Sequence, residues 1–250
     1  MPTFTHDGTE IAYLDEGEGD PVVLVHGFAS NKEVNWVGPG WFKPLKDAGY
    51  RVIALDNRGH GASTKYYEPE RYHIPEMTRD TIALLDHLKL PKADLVGYSM
   101  GARISAYAAA HYPSRVRSAT LGGMGIHLVK NVSSGDTVAR ALEAERAEDV
   151  DNKVGLEFRE FAEKTRSDLK ALAARSRSHQ RTVPREDAAR IHVPILVVTG
   201  TRDTIAGSGE ELAELIPGAK FVSLADRDHM KTVGDLNFKK AVVEFLKERP

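Results

Sequence analysis

Asp94-Leu95-Val96-Gly97-Tyr98-Ser99-Met100-Gly101-Ala102-Arg103-Ile104 reads as a short buried strand, a glycine-flanked serine and the start of a helix. Alanines at 102, 106, 108, 109 and 110 give that helix a small-residue face, which lets it lie close on a sheet. A Gly-x-Ser-x-Gly frame between strand and helix is the pattern of a nucleophile elbow. The turn brings the two backbones so close that a side chain at 97 or 101 would collide with them. The serine in between is expected in a strained conformation that pushes its hydroxyl out of the sheet. Capping of a helix alone would also suit a serine here, but it leaves the glycines at both 97 and 101 without a purpose.

Outward from this stretch, strands and helices alternate. Residues 3–15 suggest a hairpin turning at Asp7-Gly8. Pro21-Val22-Val23-Leu24-Val25 is a continuous apolar run, as expected of a strand buried on both faces. A helix is expected within Trp36–Ala48, limited by Pro39 and Pro44, and a strand over Arg51–Leu55. From Pro75, the spacing of Met77, Thr81, Leu84, Leu85 and Leu88 marks one helical face. Further strands are predicted at 116–121, 194–199 and 220–224, with helices at 210–215 and 235–247. Residues 125–185 interrupt the rhythm. They are highly charged, with apolar residues at helix-like spacings, and read as two to four short amphipathic helices inserted above the sheet. The expected organisation is therefore a core of residues 1–124 and 186–250 and a helical cap over 125–185. The fold class is α/β: a mostly parallel sheet of about eight strands with helices on both faces. In such sheets the chemistry collects in loops at the carboxyl ends of the strands. Here those loops are 26–30, 56–63, 98–101, 200–204 and 225–230.

Composition narrows the function. In 250 residues, 41% are apolar, enough for a substantial core, and 34 Lys+Arg against 36 Asp+Glu leave no basic excess for a nucleic-acid partner. The absence of cysteine excludes disulfides and thiolate metal sites. Met1–Gly8 carries no apolar leader segment, and the longest apolar runs are too short to span a bilayer, so a soluble cytoplasmic protein is expected. There is no His-Glu-x-x-His, and Gly122-Gly123-Met124-Gly125 has neither dinucleotide-binding spacing nor a phosphate-binding lysine, which disfavours metal and nucleotide chemistry.

Five motifs follow one another along the chain: His26-Gly27-Phe28, Asp56-x-Arg58-Gly59-His60-Gly61-x-Ser63, Gly97-x-Ser99-x-Gly101, Gly200-x-x-Asp203 and Asp228-His229. Together they resemble those of the α/β-hydrolases, and the likeness covers nearly the whole chain. The order Ser, Asp, His is the one this fold uses. The resemblance implies that Ser99 is the nucleophile, His229 its base and Asp203 the acid that orients the imidazole. Among ten histidines, His229 stands out because it follows the last strand and precedes the final helix. His87, His111 and His192 read as surface or packing residues, and His26 and His60 as supports of nearby loops. Asp226 and Asp228 compete with Asp203 by proximity, although adjacent side chains in an extended loop point apart. A second acid position used in the family offers only Gly122, Gly123 and Met124 here.

By the same resemblance, the backbone N–H groups of Phe28 and Met100 form the oxyanion hole. Asp56, Arg58 and His60 are expected to knit loops together beneath the site. Trp36, Trp41, Tyr98, Met124, Phe158 and Phe161 are candidates either for the substrate pocket or for ordinary core packing.

The implied activity is serine hydrolysis of small to medium carboxylic esters through an acyl-enzyme, with no cofactor and no metal. A carbon–carbon bond hydrolase, a thioesterase or lactonase, and a cofactor-free perhydrolase share this machinery. A small-molecule receptor with slow turnover is the alternative from another class. The serine disfavours dehalogenase and epoxide-hydrolase chemistry, which relatives perform with an aspartate at the elbow. The charged cap helices are read as a solvated surface in preference to a protein-binding face. Monomer and homodimer are both open.

Overall fold

β1 (Thr3–His6) and β2 (Thr9–Glu16) pair antiparallel through a turn at Asp7-Gly8, as the hairpin signal predicts. The computed structural model describes residues 1–130, 135–179 and 182–249; parts of the predicted segments at 131–134, 180–181 and 250 lie outside these. After the hairpin come β3 (Asp20–Val25), α1 (Phe42–Asp47), β4 (Tyr50–Leu55), α2 (Ile74–His87), β5 (Ala93–Tyr98), α3 (Met100–His111) and β6 (Val116–Gly122). Helices α4 (Gly135–Glu143), α5 (Lys153–Lys164), α6 (Leu169–Arg177) and α7 (Arg185–Ala188) then precede β7 (Ile195–Gly200). The remainder is α8 (Gly209–Leu215), β8 (Lys220–Leu224), α9 (His229–Thr232) and α10 (Leu236–Glu248).

One eight-stranded sheet runs β1-β2-β4-β3-β5-β6-β7-β8. The first two strand pairings, β1–β2 and β2–β4, are antiparallel; every later one is parallel. The apolar runs of β3 and β4 are continuous because alternate residues serve opposite faces. Val23, Val25, Ile53 and Leu55 pack with α2 and α3, whereas Val22, Leu24, Val52 and Ala54 pack with α1 and α10. Strand β5, which leads into Ser99, lies between β3 and β6, in the middle of the sheet. Its carboxyl end is therefore flanked by the loops that follow both neighbours.

The segment expected as one helix over Trp36–Ala48 is divided. A turn at Glu33–Val37, marked by a Gly38 N–H bond to the Glu33 carbonyl at 2.8 Å, precedes the chain through Pro39, and α1 begins only at Phe42. Pro44 sits in the first turn of α1, where its missing N–H costs nothing. Trp36 and Trp41 are fully buried, edge to face at 5.3 Å, and Trp41 meets Phe238 of α10 in the same way at 4.9 Å.

Helices α4, α5 and α6 share a third apolar cluster built on Val138, Leu142, Ala162 and Leu172, which reaches Phe28 and Ala29 on the loop after β3. Asn152 and Asp168 cap α5 and α6 through side-chain bonds to Gly155 N–H and Ala171 N–H. Among the described residues, no helix is long and apolar enough to cross a membrane.

Candidate active site

Ser99 occupies the bend between β5 and α3 at φ 53° and ψ −107°, a conformation that few non-glycine residues adopt. The flanking glycines make the bend possible. A Cβ on Gly97 would lie 2.3 Å from the Gly101 carbonyl oxygen, and one on Gly101 would lie 1.9 Å from the Val25 carbonyl oxygen. The serine N–H is held by the Gly122 carbonyl at 2.8 Å, which ties the bend to β6.

The side chains of Ser99, His229 and Asp203 meet at the carboxyl ends of β5, β7 and β8. Ser99 Oγ lies 3.0 Å from His229 Nε2, and His229 Nδ1 lies 2.8 Å from Asp203 Oδ2. An ionised carboxylate only accepts, so Nδ1 carries the ring proton and Nε2 is free to accept from the serine hydroxyl. Asp203 Oδ1 accepts from the N–H groups of Ile205 and Ala206 at 3.0 and 2.9 Å. Burial pushes the Asp203 carboxyl up, but its bond to His229, the imidazole charge and these two amides bring it below the usual range. The acid therefore stays ionised beside the imidazole.

The two competing acids are committed elsewhere. Asp228 caps α9, accepting from Met230 and Lys231 N–H at 3.1 and 2.9 Å, so its carboxylate is turned to the helix that His229 begins. Asp226 pairs with Arg202 at 2.6 Å in an exposed position. Tyr98, between Gly97 and Ser99, donates its hydroxyl to the His229 carbonyl. Burial and then the Asp203 charge hold this phenol well above its ordinary pKa, so it remains a donor.

Met100 opens α3, where the first-turn amides have no intrahelical acceptor. Phe28 follows Gly27 on the loop after β3. The Gly27–Phe28 peptide is held by His26, whose Nδ1 donates to the Gly27 carbonyl at 2.8 Å. His26 Nε2 accepts the Asn57 N–H at 3.0 Å, which fixes this tautomer. Burial lowers the His26 pKa and keeps the ring neutral.

Asp56, Arg58 and His60 lie beneath the site as loop supports. Asp56 forms a buried 2.6 Å ion pair with Lys32 and accepts the Ala62 N–H. Arg58 clasps Asp80 of α2 through two bonds of 2.6 and 2.8 Å. His60 donates Nδ1–H to the Arg58 carbonyl at 2.9 Å, and its pKa is pushed down to about 3, chiefly by burial and then by His26.

A cavity of about 740 Å³ opens onto Ser99 and His229. Tyr98, Phe28, Phe158 and Phe161 form part of its wall. Trp36 and Met124, expected as pocket candidates, do not: Trp36 is buried against Trp41, and Met124 sits in the core beside α3, 2% exposed. Asn35, Arg227 and residues of the stretch 230–237 supply much of the remaining wall and are missed by the sequence reading. Trp41 has a part in this after all, because its indole N–H holds the Val233 carbonyl at 2.8 Å. Among the described residues, no cluster of three or more His, Asp or Glu side chains converges as a metal site.

A family model described as alpha/beta hydrolase fold matches residues 20–142. Non-heme chloroperoxidase CPO-A1 of Kitasatospora aureofaciens is 42% identical over 121 residues, 47% of this chain and 41% of that protein. The matched stretches span less than half the length of the curated relatives. Solved structures match over almost the whole chain. A hydrolase from Pseudomonas aeruginosa PA01 is 26% identical with TM-score 0.83, covering 98% of this chain and 97% of that one. The enol-lactonase from Burkholderia xenovorans LB400 is 26% identical with TM-score 0.80, covering 99% and 100%. The sheet order, the elbow and these likenesses together show that the chain has the α/β-hydrolase fold.

Proposed function

We propose that the protein is a serine hydrolase of small to medium carboxylic esters, with Ser99 as nucleophile, His229 as general base and acid, and Asp203 as the orienting carboxylate. The observation that carries this is the continuous chain of short contacts from Ser99 Oγ through the imidazole to Asp203. Residues 125–185 act as the cap over the site, contributing Phe158 and Phe161 to the cavity wall.

In the acylation step, Ser99 Oγ bonds to the ester carbonyl carbon as its proton passes to His229 Nε2. The carbonyl oxygen becomes negative and is held by the N–H groups of Phe28 and Met100. Collapse of this intermediate breaks the bond to the alcohol oxygen, which takes the proton from Nε2. Water then attacks the acyl carbon with His229 accepting its proton. The acid departs as the proton returns to Ser99 Oγ. Asp203 stabilises the imidazolium throughout without being protonated. No cofactor enters either half.

The similarity to an enol-lactonase favours a cyclic ester as a second reading, on the same steps. A panel of p-nitrophenyl esters, lactones, acyl thioesters and dienone acids, with a peroxide arm for perhydrolysis, separates these activities. Fastest turnover of linear or cyclic esters is the expected result. Fastest turnover of dienone acids or thioesters, or tight binding without turnover, contradicts the ester assignment.

A further inference from the structure

Asn35 lies in the turn Glu33–Val37, is 4% exposed and contributes to the wall of the cavity that contains Ser99. Its side-chain Oδ1 accepts the Gly27 N–H at 3.1 Å. The Gly27 carbonyl is in turn held by His26 at 2.8 Å, so both polar atoms of Gly27 are fixed by buried side chains. The backbone at Gly27 also passes directly beside the serine: a Cβ there would lie 3.5 Å from the Ser99 Cβ and 3.7 Å from Asn35 Oδ1.

The carboxamide has little freedom in how it makes this contact. Gly27 N–H requires an acceptor, so the oxygen must face it, and Nδ2 is left buried with no partner among the described residues. A buried amide N–H₂ without an acceptor is unfavourable, and an apolar side chain of similar size would avoid it. The bond to Gly27 is what the residue supplies in return.

We infer that Asn35 is a positioning residue for the Phe28 amide, fixing the Gly27 N–H and with it the course of the loop that presents the Phe28 N–H to the oxygen made negative by Ser99 attack. This rests on the serine-hydrolase reading. His26 sets the plane of the Gly27–Phe28 peptide, and Asn35 sets the plane before it; neither alone fixes both sides of Gly27.

The test compares the full-length wild type with Asn35→Ala and Asn35→Leu, the latter retaining bulk where alanine leaves a void. Turnover of p-nitrophenyl butyrate is measured together with inhibition by a trifluoromethyl ketone of the same chain length, which adds to serine to give an anionic tetrahedral adduct. Expected are a fall in kcat of at least about 30-fold, KM within about three-fold, and loss of inhibitor affinity by a factor comparable to that in kcat, with cooperative thermal unfolding retained in at least one variant. A kcat within about three-fold of wild type, or a lowered kcat with inhibitor affinity unchanged, overturns the inference. Failure of both variants to fold also overturns it, since the residue would then be structural. Fluorophosphonate labelling of the wild type runs alongside: labelled Ser99 with unaffected Asn35 variants overturns only the Asn35 role, whereas an unlabelled serine overturns the parent reading with it.

Discussion

Gly101 of α3 packs its Cα against the Val25 carbonyl oxygen at the end of β3, leaving no room for a side chain. A Cβ at 101 would lie 1.9 Å from that oxygen, and backbone at the centre of a sheet has little freedom to retreat. Gly101→Ala is therefore expected to destabilise the fold by more than about 3 kcal/mol, measured by urea unfolding. Stability within about 1 kcal/mol of wild type would mean that the strand and helix are less tightly apposed.

Asp203→Asn tests the orientation of the imidazole. The amide oxygen can keep the bonds to Ile205 and Ala206 N–H, but its N–H₂ then faces His229 Nδ1. That forces the ring proton onto Nε2, where it can no longer accept from Ser99. A fall in kcat of about 10²–10⁴ with little change in KM is expected. A loss under about ten-fold would argue that another acid serves His229.

Much of this arrangement was legible in the sequence. The runs 21–25, 51–55 and 195–199 lie in strands because apolar residues on both sides of a pleat suit a sheet covered on both faces. The elbow glycines declared a close backbone approach. The alternation of side chains next to His229 argued against Asp228 as its partner, and Asp228 instead caps α9; Asp203 was reached only through the resemblance, and its carboxylate lies beside His229 Nδ1. Other features depend on contacts between residues far apart in sequence. Trp36 and Phe158 look alike in composition, yet one is enclosed by Trp41 while the other reaches the cavity. The bond of Asn35 to the Gly27 N–H and the partnership of Arg58 with Asp80 carry no local signature.

The contribution to binding of the proposed cap is tested at Phe161, half-buried in the cavity wall. Removal of its ring takes away apolar contact that ground state and transition state share. Phe161→Ala is expected to raise KM for a medium-chain aryl ester about ten-fold, with kcat within about three-fold. A lowered kcat at constant KM would place Phe161 in the chemical step instead.

His60 gives the fold a defined response to acid. Its folded pKa is depressed to about 3, so below about 6.5 the unfolded chain takes up a proton that the folded chain refuses. Stability is therefore full above about pH 6.5 and is lost as the pH falls from there towards about 3; His26 acts in the same direction. Between pH 7.5 and 5 the His60 contribution amounts to up to about 2 kcal/mol. Urea unfolding of wild type should show this slope, and His60→Gln should reduce it. An unchanged slope in the variant would contradict the assignment.

The most direct measurement is labelling of the native protein with a fluorophosphonate, followed by mass spectrometry of the modified peptide. The phosphonyl group should be found on Ser99 alone, with labelling abolished in a folded Ser99→Ala variant and strongly slowed in His229→Ala. Modification of a different residue, or undiminished labelling after either substitution, would contradict the central claim.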